Sequence, residues 1–324
     1  MTPTAAIPTN IAARRWPNHR IAVLVPCYNE AVAIPKVIAD FRASLPEAVI
    51  YVFDNNSRDN TAAVAREAGA EVRRETLQGK GHVVRRAFAD VEADIYLLVD
   101  GDDTYDASAA PAMVDLLVND HLDMVNGARV TDIDAAYRTG HRLGNRVLTG
   151  LVRMVFGDRI SDMLSGYRVF SRRFVKSFPS LASGFETETE FTVHALDLKM
   201  PIGEVATRYK DRPVGSVSKL NTYADGLRIL RTILVLVKEE RPLQFFSSVA
   251  VFLAVLGILI GLPVVLEFIR IRQVPSLPSA ILAASVEVLA FLAFASGLIL
   301  DSVARGRKEV KRLAYLAIAG VGAR

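Results

Sequence analysis

The sequence predicts an α/β domain with a mostly parallel sheet and helices on both faces, followed by an amphipathic interfacial helix and a hairpin of two transmembrane helices. Two observations lead to this prediction. From residue 21 onward, short β-branched runs alternate with segments of helical periodicity, as expected for successive strand, helix and strand units. Farther along, 245–269 and 277–300 are apolar runs long enough to cross a bilayer as helices.

The elements of the domain follow from the apolar periodicity, taken in order along the chain. The predicted strands are 21–26, 50–54, 71–74, 95–100, 124–129 and 203–208. The predicted helices are 32–44, 61–68, 81–89 and 109–119. Ligands of parallel sheets bind beyond the carboxyl ends of the strands. Polar residues follow the strands at 28–30, 54–57, 100–103 and 129, so we expect one site at this edge.

The composition limits the classes of partner. The 51% hydrophobic content and the mean hydropathy of +0.26 are high for a purely soluble protein of 324 residues. A net charge of +4 is too small and too scattered to indicate nucleic acid, and it suits anionic lipid head groups instead. Cys27 is the single cysteine, which excludes an intramolecular disulfide and agrees with a reducing cytoplasm.

The C-terminal third is the predicted membrane region. In 222–243, Leu227, Leu230 and Leu234 share a helical face opposed by basic residues, which indicates a helix in the membrane interface; packing on the domain core is the alternative. Basic residues also flank the apolar hairpin on its outer sides, whereas its connecting turn has only Arg270 and Arg272. The positive-inside bias therefore places the domain and both termini in the cytoplasm, at the cytoplasmic membrane.

The region boundaries follow from these assignments. The predicted regions are a disordered lead (1–19), the α/β domain (20–221), the interfacial helix (222–243), two spans within 244–302 and a basic tail (303–324). Core helices are seldom as long and as uniformly apolar as the two spans, although a buried core pair is the alternative. Glu287 lies inside the second span, which indicates a helix-contact residue and is compatible with a homo-oligomer.

The run Asp100–Gly101–Asp102–Asp103 is the most informative motif. Alternate residues of an extended segment point to the same side, so Asp100 and Asp102 can face one ligand. Carboxylate oxygens suit Mg²⁺ or Mn²⁺, and such a cation on a diphosphate stabilises a leaving group. Taken alone, however, an acidic run after a strand is more often a solvated turn.

Several motifs together resemble the family 2 glycosyltransferases of GT-A fold. The motifs are Val25–Glu30, Phe53–Thr61, Gly79–Lys80–Gly81 and Asp100–Gly101–Asp102. More narrowly, the chain is similar to the polyisoprenyl-phosphate glycosyltransferases, relatives of the dolichyl-phosphate mannose and glucose synthases. The segments that carry this narrower resemblance are Leu164–Arg168, Gly184–Glu190 and Gly215–Leu220, followed by the hairpin. The resemblance covers about residues 20–240.

The resemblance implies a set of donor-site residues. The implied nucleotide-sugar contacts are Pro26, Tyr28, Glu30, Asp54, Asn55, Lys80, Asp100 and Gly101. The implied metal ligands are Asp100, Asp102 and Asp103, with Asp102 the firmest. Asn55 and Asn56 stand where an Asp-Gly pair is more usual in the family, so a purely structural role in the turn is the alternative for both.

The acceptor side calls for positive charge rather than a general base, because a lipid phosphate is already an anionic nucleophile. The candidate phosphate contacts are Arg129, Arg142, Asn145, Arg168, Arg212 and Lys219. The resemblance favours Arg129 and Arg212, which together with Asp102 are the predicted catalytic residues. Arg168 has an alternative as the structural partner of Glu186 or Glu188. Those two glutamates could stabilise a helix N-terminus, or one of them could bind the sugar hydroxyls.

The predicted function is inverting transfer of a hexose from a nucleotide-sugar, with UDP-glucose favoured over GDP-mannose and UDP-galactose, to polyprenyl phosphate. The product is a lipid-linked sugar. One alternative is a membrane glycosyltransferase that acts on a saccharide hydroxyl, although Trp16 is the only tryptophan and the Gln-x-x-Arg-Trp motif of processive synthases is missing. The other alternative is a non-catalytic membrane anchor that binds nucleotide-sugars.

Overall fold

The computed structural model describes residues 15–130, 160–180, 184, 186–213, 231, 234–235 and 237–322. The predicted acceptor contacts Arg142, Asn145 and Lys219 lie outside these residues, as does most of the predicted interfacial helix. The described part of the chain forms a seven-stranded sheet in the order β3-β2-β1-β4-β6-β5-β7, and two long helices follow it.

The elements have the following bounds. The strands are β1 (Ile21–Cys27), β2 (Val49–Asp54), β3 (Glu71–Arg74), β4 (Ile95–Leu98), β5 (Met124–Val130), β6 (Arg168–Ser171) and β7 (Ile202–Arg208). The helices are α1 (Ile34–Ser44), α2 (Thr61–Glu67), α3 (Lys80–Asp90), α4 (Ala110–Asn119), α5 (Arg172–Ser177), α6 (Thr187–Asp197), α7 (Pro242–Ile271) and α8 (Leu277–Leu316). Strand β6 runs antiparallel to both of its neighbours, β4 and β5, and the other pairs are parallel.

The predicted α/β class and mostly parallel sheet are confirmed, with β6 and α5 as elements that the periodicity did not predict. Helices cover both faces of the sheet. On one face, Ile38 and Phe41 of α1 and Val114 of α4 pack on the strands. On the other face, Phe88 of α3 and Phe191 of α6 belong to a cluster of aromatic rings. Burial of apolar side chains on both faces is what holds a parallel sheet in place.

The sheet has two edges that matter for function. Because β1, β2, β4, β5 and β7 share one direction, the segments that follow them (28–30, 54–57, 99–105, 129–130 and 209–213) lie at one edge, here called the rim. The opposite edge, here called the lower edge, contains the first residues of β1, β4 and β5 and the last residue of β6.

Helices α7 and α8 pack along each other as an antiparallel hairpin, and both are long and apolar enough to cross a membrane. Small residues allow close contact between them: a Cβ at Gly257 would lie 2.5 Å from the Glu287 carboxylate, and one at Gly297 would lie 3.0 Å from Phe246 Cβ. Glu287 therefore contacts the neighbouring helix of its own chain, as expected for a helix-contact residue.

Two segments outside the predicted domain pack against it. Trp16, which the sequence placed in the lead, is buried in the core, and its indole N–H donates to Asp115 Oδ1 at 3.1 Å. Helix α8 continues to Leu316 without a break, so most of the predicted tail is the end of this helix. The packed domain therefore begins before residue 20 and includes contacts from the C-terminal segment.

Candidate active site

The Asp-rich loop lies directly on the end of β1. A Cβ at Gly101 would lie 2.5 Å from Cys27 Sγ, so only glycine allows this close approach. Asp102 is 4% exposed, and its Oδ1 accepts hydrogen bonds from the backbone N–H and the hydroxyl of Thr104, at 3.2 and 2.6 Å. These contacts fix one oxygen of the Asp102 carboxylate and leave the other for the interior of the rim.

Arg212 occupies that second oxygen. Its Nη2 lies 2.6 Å from Asp102 Oδ2, and its Nη1 lies 3.7 Å from Glu30 Oε1. Burial and the nearby Asp100 carboxylate raise the pKa of Asp102, while Arg212 acts in the opposite direction. The rim thus holds more buried negative charge than this arginine balances, which is an environment that favours a cation.

The segment after β7 brings Arg212 into place. The backbone N–H of Tyr209 donates to the Val130 carbonyl at 3.0 Å, and that of Lys210 donates to the Thr104 carbonyl at 2.8 Å. Tyr209 also forms an antiparallel bridge with Tyr105. These bonds join the 209–213 segment to the Asp-rich loop, so residues distant in sequence share one site.

Lys80, at the start of α3, is buried between two carboxylates. Its Nζ lies 2.5 Å from both Asp100 Oδ1 and Glu188 Oε1. Burial alone would lower the pKa of Lys80, but Asp100 and Glu188 raise it above its ordinary value, so the ammonium stays charged. A Cβ at Gly166 would collide with Asp100 Oδ2 and lie 3.1 Å from Lys80 Nζ, so glycine leaves the room for this cluster.

Glu188 is as buried as Asp102 but less completely bonded. Burial raises the pKa of Glu188, with Lys80 acting against the shift. Its Oε2 atom has no hydrogen-bond partner among the described residues. Glu186 also has such an oxygen, but its carboxylate folds back over Gly184, where a Cβ would lie 2.6 Å from Glu186 Oε2. As expected, both glutamates lie at the start of a helix, α6.

Arg129 lies at the end of β5, where it is held by an acid that the sequence gave no reason to single out. Its Nε and Nη2 donate to the two oxygens of Asp162, at 2.7 and 2.8 Å. Burial alone would raise the pKa of Asp162, but these bonds lower it below its ordinary value. The Arg129 guanidinium carbon lies 5.5 Å from the centroid of the Tyr209 ring, so it borders the segment that carries Arg212.

Arg168 is not at the surface of the rim, contrary to its predicted role as an acceptor contact. The residue is fully buried, and its guanidinium donates to the Ser165 and Met163 carbonyls and to the Thr192 hydroxyl, at 3.1, 2.6 and 3.0 Å. A buried guanidinium must find such partners, and these occupy its donors with protein groups. Arg168 thus supports the loop before β6, and in the part of the chain that the structure describes it has no hydrogen bond with either glutamate.

Asn55 and Asp103 are also engaged by the protein. The Asn55 amide donates to the carbonyls of Glu75 and Leu77, at 3.0 and 2.7 Å, and its oxygen accepts from the Gly79 N–H at 2.7 Å. It therefore holds the loop that leads to Lys80, in agreement with the structural alternative. The Asp103 Oδ1 atom lies 3.0 Å from Lys36 Nζ and 3.6 Å from Lys210 Nζ, so this carboxylate turns toward lysines.

The remaining predicted donor residues lie at the ends of β1 and β2. Pro26 and Asp54 belong to these strands, and the Asn55 N–H donates to the Cys27 carbonyl at 2.9 Å, which holds the two strand ends together. The buried Asp54 carboxylate accepts from the Ser57 N–H at 3.3 Å. Tyr28 and Glu30 follow β1, and the Glu30 N–H donates to the Thr61 hydroxyl at 2.9 Å.

Two further residues of the site, Asp162 and Tyr105, were not predicted from the sequence. The Tyr105 hydroxyl accepts from the Gly166 N–H at 2.8 Å and so positions the glycine beside Asp100. Neither residue lies in a motif or at a spacing that indicates chemistry. Their roles depend on contacts between distant segments, which only the folded chain creates.

The carboxylates at the rim suit a divalent cation that arrives with a diphosphate. Within the described ranges, no three His, Cys, Asp or Glu side chains are grouped closely enough to hold a metal by themselves. Mg²⁺ is commonly held by one or two carboxylates together with the phosphates of a substrate. Asp100 and Asp102 could form such a pair, since burial and then the nearby Asp100 carboxylate raise the pKa of Asp102.

Comparisons of the sequence give one consistent family. The family model described as "Glycosyl transferase family 2" matches residues 22–178. Glycosyltransferase AglJ of Haloferax volcanii is 35% identical over 251 residues, which cover 77% of this chain and 82% of the relative. Dolichyl-phosphate hexose transferase of the same organism is 28% identical over 221 residues, which cover 68% of this chain and 95% of the relative.

Solved structures share the fold of the domain. The crystal structure of Mycobacterium tuberculosis glucosyl-3-phosphoglycerate synthase in complex with Mn²⁺, UDP-glucose and phosphoglyceric acid matches with a TM-score of 0.55 at 22% identity. The match covers 68% of this chain and 80% of that one. The same synthase in complex with Mg²⁺ and UDP matches with a TM-score of 0.54 at 21% identity, over 69% of this chain and 79% of that one.

Proposed function

Because the chain belongs to glycosyl transferase family 2, we propose that it transfers a hexose from a nucleotide-sugar to polyprenyl phosphate at a membrane surface. The predicted family and its GT-A fold are confirmed, and the protein is a glycosyltransferase. The donor, the acceptor and the use of a metal are the proposed part. The observation that carries the proposal is the two ion pairs at the rim, Asp102 with Arg212 and Asp100 with Lys80, each of which has one buried partner.

The donor diphosphate is proposed to bind at these two ion pairs. Asp100 and Asp102 would hold Mg²⁺ or Mn²⁺, which supplies positive charge to the diphosphate where negative charge develops in the leaving group. Asp103 is less suited to this role, because it pairs with Lys36, whose side chain is 54% exposed, whereas Asp100 and Asp102 pair with the less exposed Lys80 and Arg212. The fold neighbours that contain UDP-glucose and Mn²⁺ support a UDP-sugar as the donor.

The sugar is proposed to contact Glu188 rather than Glu186. The Glu188 carboxylate reaches the Lys80–Asp100 pair, whereas the Glu186 carboxylate folds back over Gly184. A buried carboxylate oxygen without a hydrogen-bond donor is costly, and a sugar hydroxyl can supply the missing donor. Glu188 would thus be the contact that distinguishes the intact nucleotide-sugar from the nucleotide alone.

The acceptor phosphate is proposed to be positioned by Arg212 and Arg129. Charge-assisted bonds from guanidinium groups place the phosphate oxygen and offset its repulsion from the donor diphosphate. That oxygen forms a bond to the anomeric carbon while the bond from this carbon to the diphosphate oxygen breaks, with inversion. The bonding electrons leave with the nucleoside diphosphate, and no proton has to be removed from the nucleophile.

A lipid acceptor is supported by the membrane region and by one relative. Two helices of the described chain are long and apolar enough to cross a membrane. In each, only 17% of the most apolar segment is buried inside the protein. A relative that matches over 68% of this chain is named as a dolichyl-phosphate hexose transferase. We place the domain on the cytoplasmic side because the basic residues flank the outer ends of the hairpin.

The proposal is tested with the full chain in lipid nanodiscs that contain undecaprenyl phosphate. Radiolabelled UDP-glucose and Mn²⁺ should yield a labelled lipid that releases glucose on mild acid treatment, and chelation with EDTA should prevent it. GDP-mannose and UDP-galactose are supplied in parallel to identify the donor. The Asp102→Ala variant should form no labelled lipid; undiminished product would refute the proposed role of Asp102, and label on a saccharide would refute the lipid acceptor.

A further inference from the structure

The segment 160–162, which precedes β6, is held by a glutamate of β7 that belongs to none of the motifs. Glu204 Oε2 accepts a hydrogen bond from the backbone N–H of Ser161 at 3.0 Å, and its Oε1 accepts from the N–H of Asp162 at 3.4 Å. Successive backbone N–H groups commonly hold an anion in this way. Here the anion is the Glu204 side chain of the protein itself, so Glu204 fixes the backbone that carries Asp162.

Asn126 of β5 joins the same two groups from the neighbouring strand. Its fully buried amide donates to Glu204 Oε1 at 2.7 Å and to the Asp162 carbonyl at 2.9 Å. Asn126 and Glu204 are partners in the register of β5 and β7, so this bond joins adjacent positions of two strands. The backbone around Asp162 is therefore bonded to side chains of both strands.

The Asp162 carboxylate holds Arg129, the proposed acceptor contact at the end of β5. It accepts from Arg129 Nε and Nη2 and also from the Arg129 backbone N–H, the last at 3.3 Å. Its Oδ1 also accepts from the Leu164 N–H at 3.3 Å, so the carboxylate itself is held by the loop. Two bonds to one edge of a planar guanidinium set both the plane and the direction of that group.

The fold thus immobilises a long side chain that would otherwise rotate. The side chains of Arg129 and Asp162 are 16% and 11% exposed, so little solvent screens their ion pair. Burial alone would raise the pKa of Asp162, but the bonds from Arg129 lower it below its ordinary value, so the carboxylate is ionised at neutral pH. A freely rotating arginine has to be ordered when it binds a phosphate, which weakens the binding, and Arg129 is ordered by the protein instead.

Glu204 reaches Arg129 only through the 160–162 segment. In the register of β5 and β7, Arg129 pairs with Thr207, which is three residues or about 10 Å beyond Glu204 along the strand. The Glu204 carboxylate accepts from three N–H groups of the protein, those of Asn126, Ser161 and Asp162. Glu204 therefore lies below the level of the arginine and is engaged in supporting the loop.

We propose that Glu204 and Asp162 are positioning residues for the acceptor phosphate: Glu204 fixes the 160–162 backbone, and the Asp162 carboxylate orients Arg129 toward that phosphate. This inference rests on the proposed function, because it takes the acceptor to be a lipid phosphate that Arg129 binds. A fixed guanidinium places the attacking oxygen and so lowers the barrier. The negative charge of Asp162 also repels the phosphate, so the proposal requires that orientation outweighs this repulsion.

The binding of a short acceptor tests this requirement without turnover. The full chain, in nanodiscs that lack polyprenyl phosphate, is titrated with geranyl phosphate in the presence of UDP and Mn²⁺, and calorimetry gives the Kd. We expect Asp162→Asn to weaken the binding of geranyl phosphate by about threefold to tenfold, as when one long side chain has to be ordered on binding. The affinity for UDP should stay the same. Unchanged or tighter binding of geranyl phosphate would overturn the proposal, because the charge of Asp162 would then only repel the phosphate.

A double-mutant cycle decides whether Asp162 acts through Arg129. In the Arg129→Ala background, Asp162→Asn should weaken the binding of geranyl phosphate no further, because the arginine that it orients is gone. A further loss of about threefold or more would mean that Asp162 only stabilises the fold of the rim, and this would also overturn the proposal. If the parent does not bind geranyl phosphate, the proposed function fails and the inference fails with it, whereas a parent and variants that bind it equally well refute the inference alone.

Glu204→Gln tests the support of the loop and keeps the proposal testable if Asp162→Asn does not fold. The variant retains Asp162 and Arg129, but a neutral amide holds the N–H groups of Ser161 and Asp162 less firmly. It should weaken the binding of geranyl phosphate by about twofold to threefold and leave the affinity for UDP unchanged. Unchanged binding of both ligands would exclude Glu204 as a positioning residue.

Asp123→Asn is the matched control for loss of stability. Asp123 is also a buried carboxylate bonded to an arginine, Arg173, but it lies at the lower edge of the sheet. This variant should lower the melting temperature and leave the Kd for geranyl phosphate unchanged. Binding weakened as much as by Asp162→Asn would show that any loss of stability has this effect, and it would overturn the proposal.

Discussion

Two buried carboxylates, Asp123 at the lower edge of the sheet and Glu188 beside the rim, differ in how completely they are bonded. At the lower edge, the fully buried Asp123 accepts hydrogen bonds from Ser171, Arg173 and Tyr315, and both of its oxygens are occupied. At the rim, Glu188 is almost as buried, but its Oε2 lacks a partner among the described residues. An unsatisfied buried polar group costs about 1–3 kcal/mol. The fully bonded Asp123 stabilises the fold, whereas the incompletely bonded Glu188 is suited to bind a ligand.

The first prediction concerns Asp102 and has the largest expected effect. Asp102→Asn should lower the transfer rate about 1,000-fold, or about 4 kcal/mol, because a neutral amide cannot support the cation and the leaving diphosphate. It should not lower the melting temperature, because burial and Asp100 already raise the pKa of Asp102 and thus disfavour its charged form. Rates of labelled lipid formation and thermal melts check the two parts.

Asp103→Asn is the matched control for this prediction. Asp103 is adjacent in sequence, but its carboxylate pairs with Lys36, whose side chain is 54% exposed, so the pair is worth less than about 1 kcal/mol. The transfer rate should fall by no more than about fivefold. A loss as large as that of Asp102→Asn would show that Asp103 is a metal ligand, as the sequence predicted, and would weaken the contrast drawn at the rim.

The second prediction concerns Lys80, whose positive charge balances the carboxylates of Asp100 and Glu188. Lys80→Met leaves Asp100 and Glu188 as uncompensated carboxylates around a buried site, and it should lower the free energy of unfolding by about 3 kcal/mol. Combining it with Glu188→Gln removes one of the two charges and should restore part of this loss. Chemical denaturation of the variants measures both effects. A double variant that is less stable than Lys80→Met would speak against charge balance as the cause.

The third prediction distinguishes the two glutamates at the start of α6. Glu188→Gln should weaken the binding of UDP-glucose about 10-fold, or about 1.4 kcal/mol, because a charge-assisted bond to a sugar hydroxyl becomes a neutral one. The affinity for UDP should stay the same, because the nucleotide lacks the sugar. Glu186→Gln, the matched control, should change neither affinity. Calorimetry with Mn²⁺ present measures them, and equal weakening of UDP and UDP-glucose would exclude Glu188 as the sugar contact.

The contrast between the edges also explains what the sequence could predict. Local patterns predicted the strands, because β-branched and apolar runs such as 21–26 and 50–54 are typical of buried strands. Strand β6 was missed because it runs antiparallel to both of its neighbours, outside the strand–helix–strand alternation that predicted the other strands. The motif residues Asp100, Asp102 and Arg212 meet at one rim because parallel strands end together. The roles of Asp162 and Asp123 depend on partners more than thirty residues away in the chain, which no local pattern records.

Some side chains of the motifs proved structural for reasons that only the fold supplies. Asn55 and Arg168 lie within motifs of the family, and both have donors occupied by backbone carbonyls of neighbouring loops. Their residue types would suit ligand binding equally well. Whether such a side chain binds a ligand depends on whether a loop covers it. Loop positions follow from the packing of the whole domain.

The last prediction, of about the same size as the third, is a difference in acid sensitivity between the two edges. His194, near the lower end of α6, is buried against the rings of Phe174 and Phe178. Burial and the nearby Lys311 lower the pKa of His194 from 6.5 to about 3. Between these two values the unfolded chain binds a proton that the folded chain does not, so stability falls as the pH falls. The loss is about 1.4 kcal/mol per pH unit below 6.5.

The buried Glu188 carboxylate beside the rim should change the pH dependence of stability in the opposite direction. The pKa of Glu188 is raised by burial, so the folded chain holds its proton more firmly than the unfolded chain, and this stabilisation is lost as the pH rises. Lowering the pH from 7 to 5.5 should therefore destabilise the parent relative to a His194→Gln variant by about 1.4 kcal/mol. The same change should not destabilise the parent relative to Glu188→Gln. Unfolding free energies at the two pH values test this, and a His194→Gln variant with the same pH dependence as the parent would show that the lower edge does not bury a neutral histidine.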